Sequence, residues 1–599
     1  MSSCLCSNEI CRCAIEALRD KGMQALLRAS QEDASDERLR FVPRESIIRE
    51  ISPGFISRVL RRVRDNDDDI AVSVEKATNH ISPRMVCQCK KPFCTGSRVI
   101  FASLLFAGLH GILVHFLHAA QPDDCDSSLW KLSQAEATFD DDTTVFHHIY
   151  QLKGAPRDLF FYWVYQLRAL CFQKKGDNGQ VKKLGVEDGL KDSVRLPWSS
   201  VEEGSNPLNR VVAQASSKAV IIGRQSAKVE RIYIHRSHHN LDESTNSFAL
   251  KTFLRGRELS KLNFDSELRN NNAIIGSNRV ISLEAAFEHR GNFYMVFPWA
   301  ELGDLRGIWQ GYIPRSNQAT GQQINHAIWY SPQWLLGECY GIASAVADIH
   351  GRGSSKPQPH CLLHADIKAE NILGFRHERS VFLKLADFGH SHILETVSSC
   401  VAVDDMMNPR SYRAPEYDTQ ESVTTKYDVW SLGCLFLDFV TWALLGWQGV
   451  DDFEKQRVRE ANDPKADYGN ASEDTFFKRV AGRRGALSWS RIRPSYKPTT
   501  PRIDSNSGFT REHTVSFQGF NRPVVTQIRE PVSAHITRLR GISQLDDRIK
   551  QLLDVIENKM LITDCDKRAW SDEVRDIIAD IVAKTQRDGN HISSDSGKQ

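Results

Sequence analysis

The sequence predicts an α+β protein: a bilobal unit, with a small β-rich lobe and a large helical lobe, preceded by a mainly helical N-terminal domain. Three observations predict it. Before about residue 200, apolar positions recur at helical spacing, as in Ile47, Ile51, Ile56, Val59 and Leu60. Between Ala219 and Phe297 the pattern changes to short β-type runs around a single helical stretch. Beyond Asp304 helical periodicity returns, and 599 residues are too many for one hydrophobic core.

Taken in order, residues 1–30 form a segment carrying Cys4, Cys6, Cys11 and Cys13, and 31–200 form the helical domain. Within it, Val99 to Ala120 is the longest apolar run. Its length would cross a bilayer, and Lys90, Lys91 and Arg98 flank one side, Asp123, Asp124 and Asp126 the other. His110, His115 and His118, with Gly108 and Gly111, interrupt it, and polar rings at bilayer depth are costly. A buried core helix is therefore expected, and no membrane span is favoured. Ser199 to Asn209 reads as a linker. In the small lobe, 210–300, Ala219–Ile222, Arg231–His235 and Phe248–Leu254 read as strands, Glu258–Asn270 as a helix, and Val280–Phe287 and Asn292–Phe297 as strands. In the large lobe, 301–585, Trp334, Leu335, Cys339, Ile342, Val346 and Ile349 share one helix face. Tyr427 to Trp447 is apolar nearly all round and should be buried. Residues 448–544 read as a long insertion, whose basic residues Lys478, Arg479, Arg483, Arg484, Arg491 and Arg493 are expected in a solvated loop. A polar tail, 586–599, follows.

Lys and Arg total 77 against 75 Asp and Glu, a balance that argues against an obligatory polyanion such as nucleic acid. Fourteen scattered cysteines, with no secretory leader at the start, point to a reducing compartment, cytoplasmic or nuclear. Cys87, Cys89 and Cys94 form a second cysteine group. Zinc sites usually pair C-x₂-C with a matching partner pair, so free thiols are expected in both groups, with metal binding, or acylation of the first group, as alternatives.

Three strings carry the chemistry: His364-Ala365-Asp366-Ile367-Lys368-Ala369-Glu370-Asn371, then Asp387-Phe388-Gly389, then Arg413-Ala414-Pro415-Glu416. Each alone is weak. In this order and with these gaps they resemble the catalytic core of a eukaryotic-type protein kinase. Phosphoryl transfer asks a protein mainly to neutralise phosphate oxygens and align a hydroxyl, tasks for carboxylates, an amide oxygen and an ammonium group.

The resemblance implies Asp366 as the base for the substrate hydroxyl, Asn371 and Asp387 as Mg²⁺ ligands, and ATP as the phosphoryl donor. Lys368 and Ser411 match positions that mark serine/threonine kinases, so protein substrates with Ser or Thr acceptors are expected. Phe248-Ala249-Leu250-Lys251 is similar to the strand whose lysine meets the α- and β-phosphates. Glu267 is its expected partner, with Glu258 on the same helix left open. Phe297 resembles a gatekeeper, Ala300 a hinge amide donor and Asp304 a ribose contact, and Gly223, Val229, Ala249 and Leu373 fall at further nucleotide-binding positions. Asp428 resembles the residue that secures the catalytic loop, and Arg568 the partner of Glu416. The resemblance runs from about Ala219 to Ile581, the insertion excepted. A helical region ahead of such a domain also resembles kinase-like proteins of filamentous fungi.

Two departures stand out. Gly223-Arg224-Gln225-Ser226-Ala227-Lys228-Val229 keeps one glycine where a phosphate lid has several, which keeps a nucleotide-binding pseudokinase scaffold as an alternative. Ala365 replaces the arginine that usually pairs with a phosphorylated activation segment, so phosphorylation of Thr396, Ser398 or Ser399 is not expected to act through that position. A further alternative makes the N-terminal half a metal- or membrane-bound module carrying the kinase fold. The sequence leaves the oligomeric state open.

Overall fold

The computed structural model describes residues 12–29, 41–63, 70–83, 87, 89, 94–118, 125–126, 129, 145–174, 180–184, 194, 196–199, 220–221, 227–242, 245–254, 256–274, 276–311, 331–353, 361–377, 380–396, 398–406, 412–462, 474–481 and 524–594. The chain divides into two compact units, residues 1–264 with 283–299 and residues 265–282 with 300–599.

The first unit opens with helices α1 (Arg12–Ala29), α2 (Arg44–Glu50), α3 (Pro53–Val63), α4 (Ile70–Ile81), α5 (Arg98–Phe106), α6 (His110–Leu113), α7 (His115–His118), α8 (Val145–Tyr150) and α9 (Ala155–Leu167). In α3, Phe55, Ile56, Val59, Leu60 and Val63 fall on one stripe of a 3.6-residue period, and all five are buried. Burial of such side chains contributes about 1.5–3 kcal/mol each. Ile15 and Leu26 of α1 join the same core, so the segment 1–30, separate in the sequence reading, supplies a helix to the domain after it.

The apolar run from Val99 is not one helix. Every residue of α5 is buried, but Gly108 adopts φ +73° just beyond its end. The Leu109 amide donates to the Leu104 carbonyl at 2.9 Å and the Gly108 amide to Leu105 at 3.1 Å, a paired stop that closes the helix. Nine residues rise about 14 Å, half the thickness of a bilayer core.

A seven-stranded sheet completes this unit: β1 (Lys183–Leu184), β2 (Trp198–Ser199), β3 (Val220–Ile221), β4 (Ala227–Ile234), β5 (Ser247–Phe253), β6 (Ala285–His289) and β7 (Asn292–Pro298), in the order β1-β6-β7-β5-β4-β2 with β3 also on β4. β4, β5 and β7 keep the expected places, whereas the run from Val280 becomes β6 only at Ala285. β1 and β2 are a correction, since 31–200 reads as helical. Two-residue strands leave no periodicity to read, and packing recruits them: Phe172 and Trp198 lie with ring centroids 5.7 and 5.8 Å from Phe287 of β6. One imidazole links the helices to the sheet. His238, between β4 and β5, accepts the Arg44 amide at the start of α2 on Nε2 at 2.9 Å, and its Nδ1 meets the Leu170 carbonyl at 3.1 Å. Burial, together with the nearby His235 and Arg44 charges, pushes its pKa down to about 3.

Helix α10 (Arg257–Ala273) fills the expected Glu258–Asn270 stretch, and its residues from Asp265 on belong to the second unit. That unit continues with β8 (Gly303–Asp304), α11 (Leu305–Trp309), α12 (Pro332–Ile349), β9 (Cys361–Leu363), β10 (Ile372–His377), β11 (Ser380–Leu385), β12 (His392–Leu394), β13 (Val401–Ala402), α13 (Glu416–Thr419), β14 (Ser422–Val423) and α14 (Lys426–Ala461). β15 (Phe477–Ala481), β16 (Val524–Ile528), α15 (Glu530–Arg540), α16 (Asp547–Val555) and α17 (Ser571–Ser594) follow. The predicted stripe of α12 is buried from Leu335 to Ile349, and the half-buried Trp334 donates its indole N–H to the Val381 carbonyl at 2.9 Å. α14 is long and apolar enough to cross a membrane by composition, but its apolar half is packed inside the unit, and Gly446 at φ +69° breaks it in two.

The insertion read as 448–544 is more structured than expected. α14 runs on to Ala461, β15 pairs antiparallel with β16, and α15 begins at Glu530. Lys478 and Arg479 are not in a solvated loop. Lys478 Nζ lies 2.9 Å from Glu460 and 3.1 Å from Glu530, and buried Arg479 stands 3.6 Å from Asp418. Strand pairing over more than forty residues is what sequence periodicity could not see. The other four basic residues lie outside the described residues. α17 likewise extends through Ser594, into the stretch read as a tail.

Candidate active site

The loop from His364 to Asn371 joins β9 to β10, and no regular hydrogen-bond ladder holds it. Asp428, at the start of α14 and fully buried, does so instead. Its carboxylate accepts the His364 amide at 2.7 Å and the Ala365 amide at 2.9 Å, and its Oδ2 lies 2.9 Å from His350 Nε2. His350 Nδ1 reaches Ser571 Oγ at 2.9 Å, so α12, α14 and α17 all brace the loop. Ala365 sits at φ +66°, a left-handed conformation costly for a residue with a Cβ. His364 is buried and its pKa is lowered by that burial, so it is neutral. Its Nδ1 accepts the Asp366 amide at 3.3 Å and its Nε2 faces the Ala386 carbonyl at 3.2 Å.

These contacts aim Asp366. Its carboxylate accepts from Lys368 Nζ at 2.6 Å and from Asn371 Nδ2 at 3.0 Å, and Asn371 also donates to the Asp366 carbonyl at 2.8 Å. The Ala386 amide donates to the Asn371 carbonyl at 2.9 Å, which places Asp387 directly beside this loop in the chain path. Asp387 is itself left-handed, at φ +68°. Two such residues within one small region mark stored strain, a common property of reactive sites. Asn270 of α10 clamps the following turn, donating to the carbonyls of Phe388 at 2.9 Å and Ser391 at 2.8 Å. Glu267, one helical turn earlier, is buried against Gly389. A Cβ on that glycine would stand 3.2 Å from Glu267 Oε2 and 3.3 Å from Asp387 Oδ1. Glu258, earlier on the same helix, is exposed, whereas Glu267 is buried.

Comparison with known proteins agrees with this geometry. Residues 237–483 match the protein kinase domain family. This chain carries a eukaryotic-type protein kinase domain. Its kinase domain is similar to the serine/threonine-protein kinase Nek5 of Homo sapiens, 26% identical over 166 residues, covering 27% of this chain and 19% of that protein. It is similar to the serine/threonine-protein kinase ATG1 of Colletotrichum lindemuthianum, 24% identical over 310 residues, 46% of this chain and 43% of the relative. Human 3-phosphoinositide-dependent protein kinase 1 is 29% identical over 99 residues, 16% of each. The chain thus spans less than half the length of these relatives.

Other kinase residues fall in both units. In the first, Lys251 on β5 pairs in register with Val229 and Met295, and Ala249 with Phe297. In the second, Ala300 accepts the Gly303 amide at 3.2 Å, and Asp304 pairs with Leu373 while accepting the Gly307 amide at 2.8 Å as the cap of α11. Gly223 and Ser411 lie outside the described residues. Glu416 and Arg568 form a fully buried two-point ion pair at 2.6 and 2.9 Å, and Arg568 also reaches the Lys426 carbonyl at 2.8 Å. Arg413 is buried and bound to Asp418 at 3.1 Å. The supports that sequence reasoning missed are His350, Ser571 and Asn270. None sits in a chemical string, and His350, eleven residues before β9, carries no signal of its own beyond following the long apolar stripe of α12.

Proposed function

We propose that this kinase domain transfers the γ-phosphoryl group of ATP to serine or threonine hydroxyls of protein substrates. The observation that carries the reading is Asp366, held by the Asp428-locked loop with the Lys368 ammonium at 2.6 Å and the Asn371 amide at 3.0 Å. Asn371 and Asp387 offer oxygen donors, which suit a hard cation such as Mg²⁺. With its nitrogen given to Asp366, Asn371 would ligate through its amide oxygen. Bound Mg²⁺-ATP supplies the electrophilic phosphorus and neutralises part of its charge. Asp366 orients the acceptor hydroxyl and takes its proton, while Lys368 steadies that carboxylate and stands beside the moving phosphoryl group. Lys251 is assigned to the α- and β-phosphates with Glu267 as its partner. Gly223, Val229, Ala249, Phe297, Ala300, Asp304 and Leu373 are assigned to the rest of the nucleotide.

Radiolabel transfer from ATP to a generic Ser/Thr acceptor tests the reading. Asp366→Asn should lower the rate by roughly 10²–10⁴-fold with its circular dichroism unchanged. A wild-type rate no higher than that of Asp366→Asn, with ATP still bound in calorimetry, would establish the second reading, a nucleotide-binding scaffold. The single glycine between Gly223 and Val229 is what favours that alternative. None of the ten described cysteines is in a disulfide, which supports a reducing, cytoplasmic or nuclear setting.

A further inference from the structure

The sequence groups Cys87, Cys89 and Cys94 and leaves Cys125 aside, but the fold brings the four together. Their Sγ atoms all lie within 4.8 Å of one another, Cys87 and Cys125 buried, Cys89 and Cys94 half-buried, and none is in a disulfide. We propose that these four thiolates bind one structural zinc ion in the helical N-terminal region.

Four sulfurs complete the closed tetrahedral shell of a structural zinc site. Zinc–sulfur bonds of about 2.3 Å set the sulfurs about 3.8 Å apart, so the cluster needs to contract by no more than about 1 Å. An iron–sulfide cluster would hold its thiolates further apart than one ion does, and these sulfurs are too close together for that.

The frame around the cluster is built rather than incidental. Thr95 and Asp126 follow Cys94 and Cys125 directly, and the Thr95 hydroxyl donates to the Asp126 carboxylate. The Asp126 amide donates to the Gly96 carbonyl at 2.7 Å, and its carboxylate accepts the Val99 and Ile100 amides at 3.0 and 3.1 Å. Gly96 turns the chain at φ +79°, where a Cβ would meet the Ile81 carbonyl oxygen at 2.5 Å. Two of the four ligands are therefore fixed relative to each other through neighbouring residues, before any metal binds. Charge is partly offset as well. Four thiolates and Zn²⁺ leave two negative charges, and the Arg98 guanidinium stands beside them, donating to the Thr95 carbonyl at 2.5 Å and to the Ile51 carbonyl at 3.3 Å.

Elemental analysis of the full chain, purified under reducing conditions, should find one zinc per chain. Removing it and adding Co²⁺ should produce the intense visible and charge-transfer absorption of a tetrahedral tetrathiolate. Cys125→Ser and Cys94→Ser should each weaken zinc retention against a competing chelator by more than about tenfold. Replacing Cys4, Cys6, Cys11 and Cys13 together by Ser should leave the stoichiometry intact, as should Cys400→Ser. Three outcomes overturn the proposal: a metal-free chain that stays so after zinc is added, zinc undiminished by both serine variants, or two disulfides among the four cysteines in non-reducing mass spectrometry. Should the serine variants fail to fold, the cobalt spectrum of the unsubstituted chain decides.

Discussion

Asp428 and Asp126 do the same physical work in two regions of this molecule. Each is a buried carboxylate that accepts two successive backbone amides, His364 and Ala365 for the first, Val99 and Ile100 for the second. What they hold differs. Asp126 caps α5, whose first amides lack partners in the helix but whose residues are all buried in an apolar core anyway. Asp428 holds a loop with a left-handed alanine and no ladder of its own, so the amides of His364 and Ala365 depend on that one side chain, with His350 behind it. The contrast teaches that this irregular candidate catalytic loop concentrates its support in a few polar contacts, whereas the α5 helix spreads support over many apolar ones.

Substitution of the two aspartates tests this most sharply. Asp428→Asn keeps the size but loses the charge and one acceptor, and should destabilise the second unit by about 3–5 kcal/mol in denaturant unfolding. Phosphoryl transfer should fall about 100-fold, because the loop carrying Asp366 shifts. Asp126→Asn should cost about 1.5–3 kcal/mol and leave the turnover number unchanged. Equal losses of activity in both variants would remove the contrast.

The same first region predicts a pH effect of similar size. His238 has a folded pKa of about 3 against an ordinary 6.5, so its neutral form stabilises the fold. That contribution is complete above about pH 6.5 and is lost progressively as pH falls toward 3. Unfolding measured at pH 7 and pH 5 should show a loss of about 2 kcal/mol. His238→Gln, which can still accept the Arg44 amide, should flatten the slope, and an unchanged slope would mean that another group titrates.

The smallest expected effect concerns the activation segment. Thr396 is exposed, its hydroxyl 3.0 Å from that of Ser399, and Ala365 offers no cation. Buried Arg413 is bound to Asp418. Thr396→Glu should therefore change turnover by less than about twofold. A larger rise, abolished by neutralising Arg413, would show that this arginine leaves Asp418 to receive the new charge.

The candidate catalytic residues were legible in the sequence because the chemistry proposed for them requires particular side chains close together along the chain. Asp366, Lys368 and Asn371 lie within six residues, and the structure joins them by direct hydrogen bonds. Long stripes such as those of α3 and α12 were equally legible, since a helix face repeats every few residues and burial repeats with it. Elsewhere local pattern misled. Val99 to Ala120 has the composition of one helix, and the left-handed Gly108 ends it after nine residues.

Sequence alone thus determined the kinase strings, their order and the helical faces, all of them features whose cause lies within a few residues. Only the tertiary structure buried Glu267 while leaving Glu258 exposed, drew β1 and β2 into the sheet, buried Lys478 and Arg479 in ion pairs and brought Cys125 to Cys87, Cys89 and Cys94. Those choices rest on contacts between residues far apart in the chain. Such contacts are selected by shape, burial and charge after the chain has folded back on itself, and they leave no periodic mark along it.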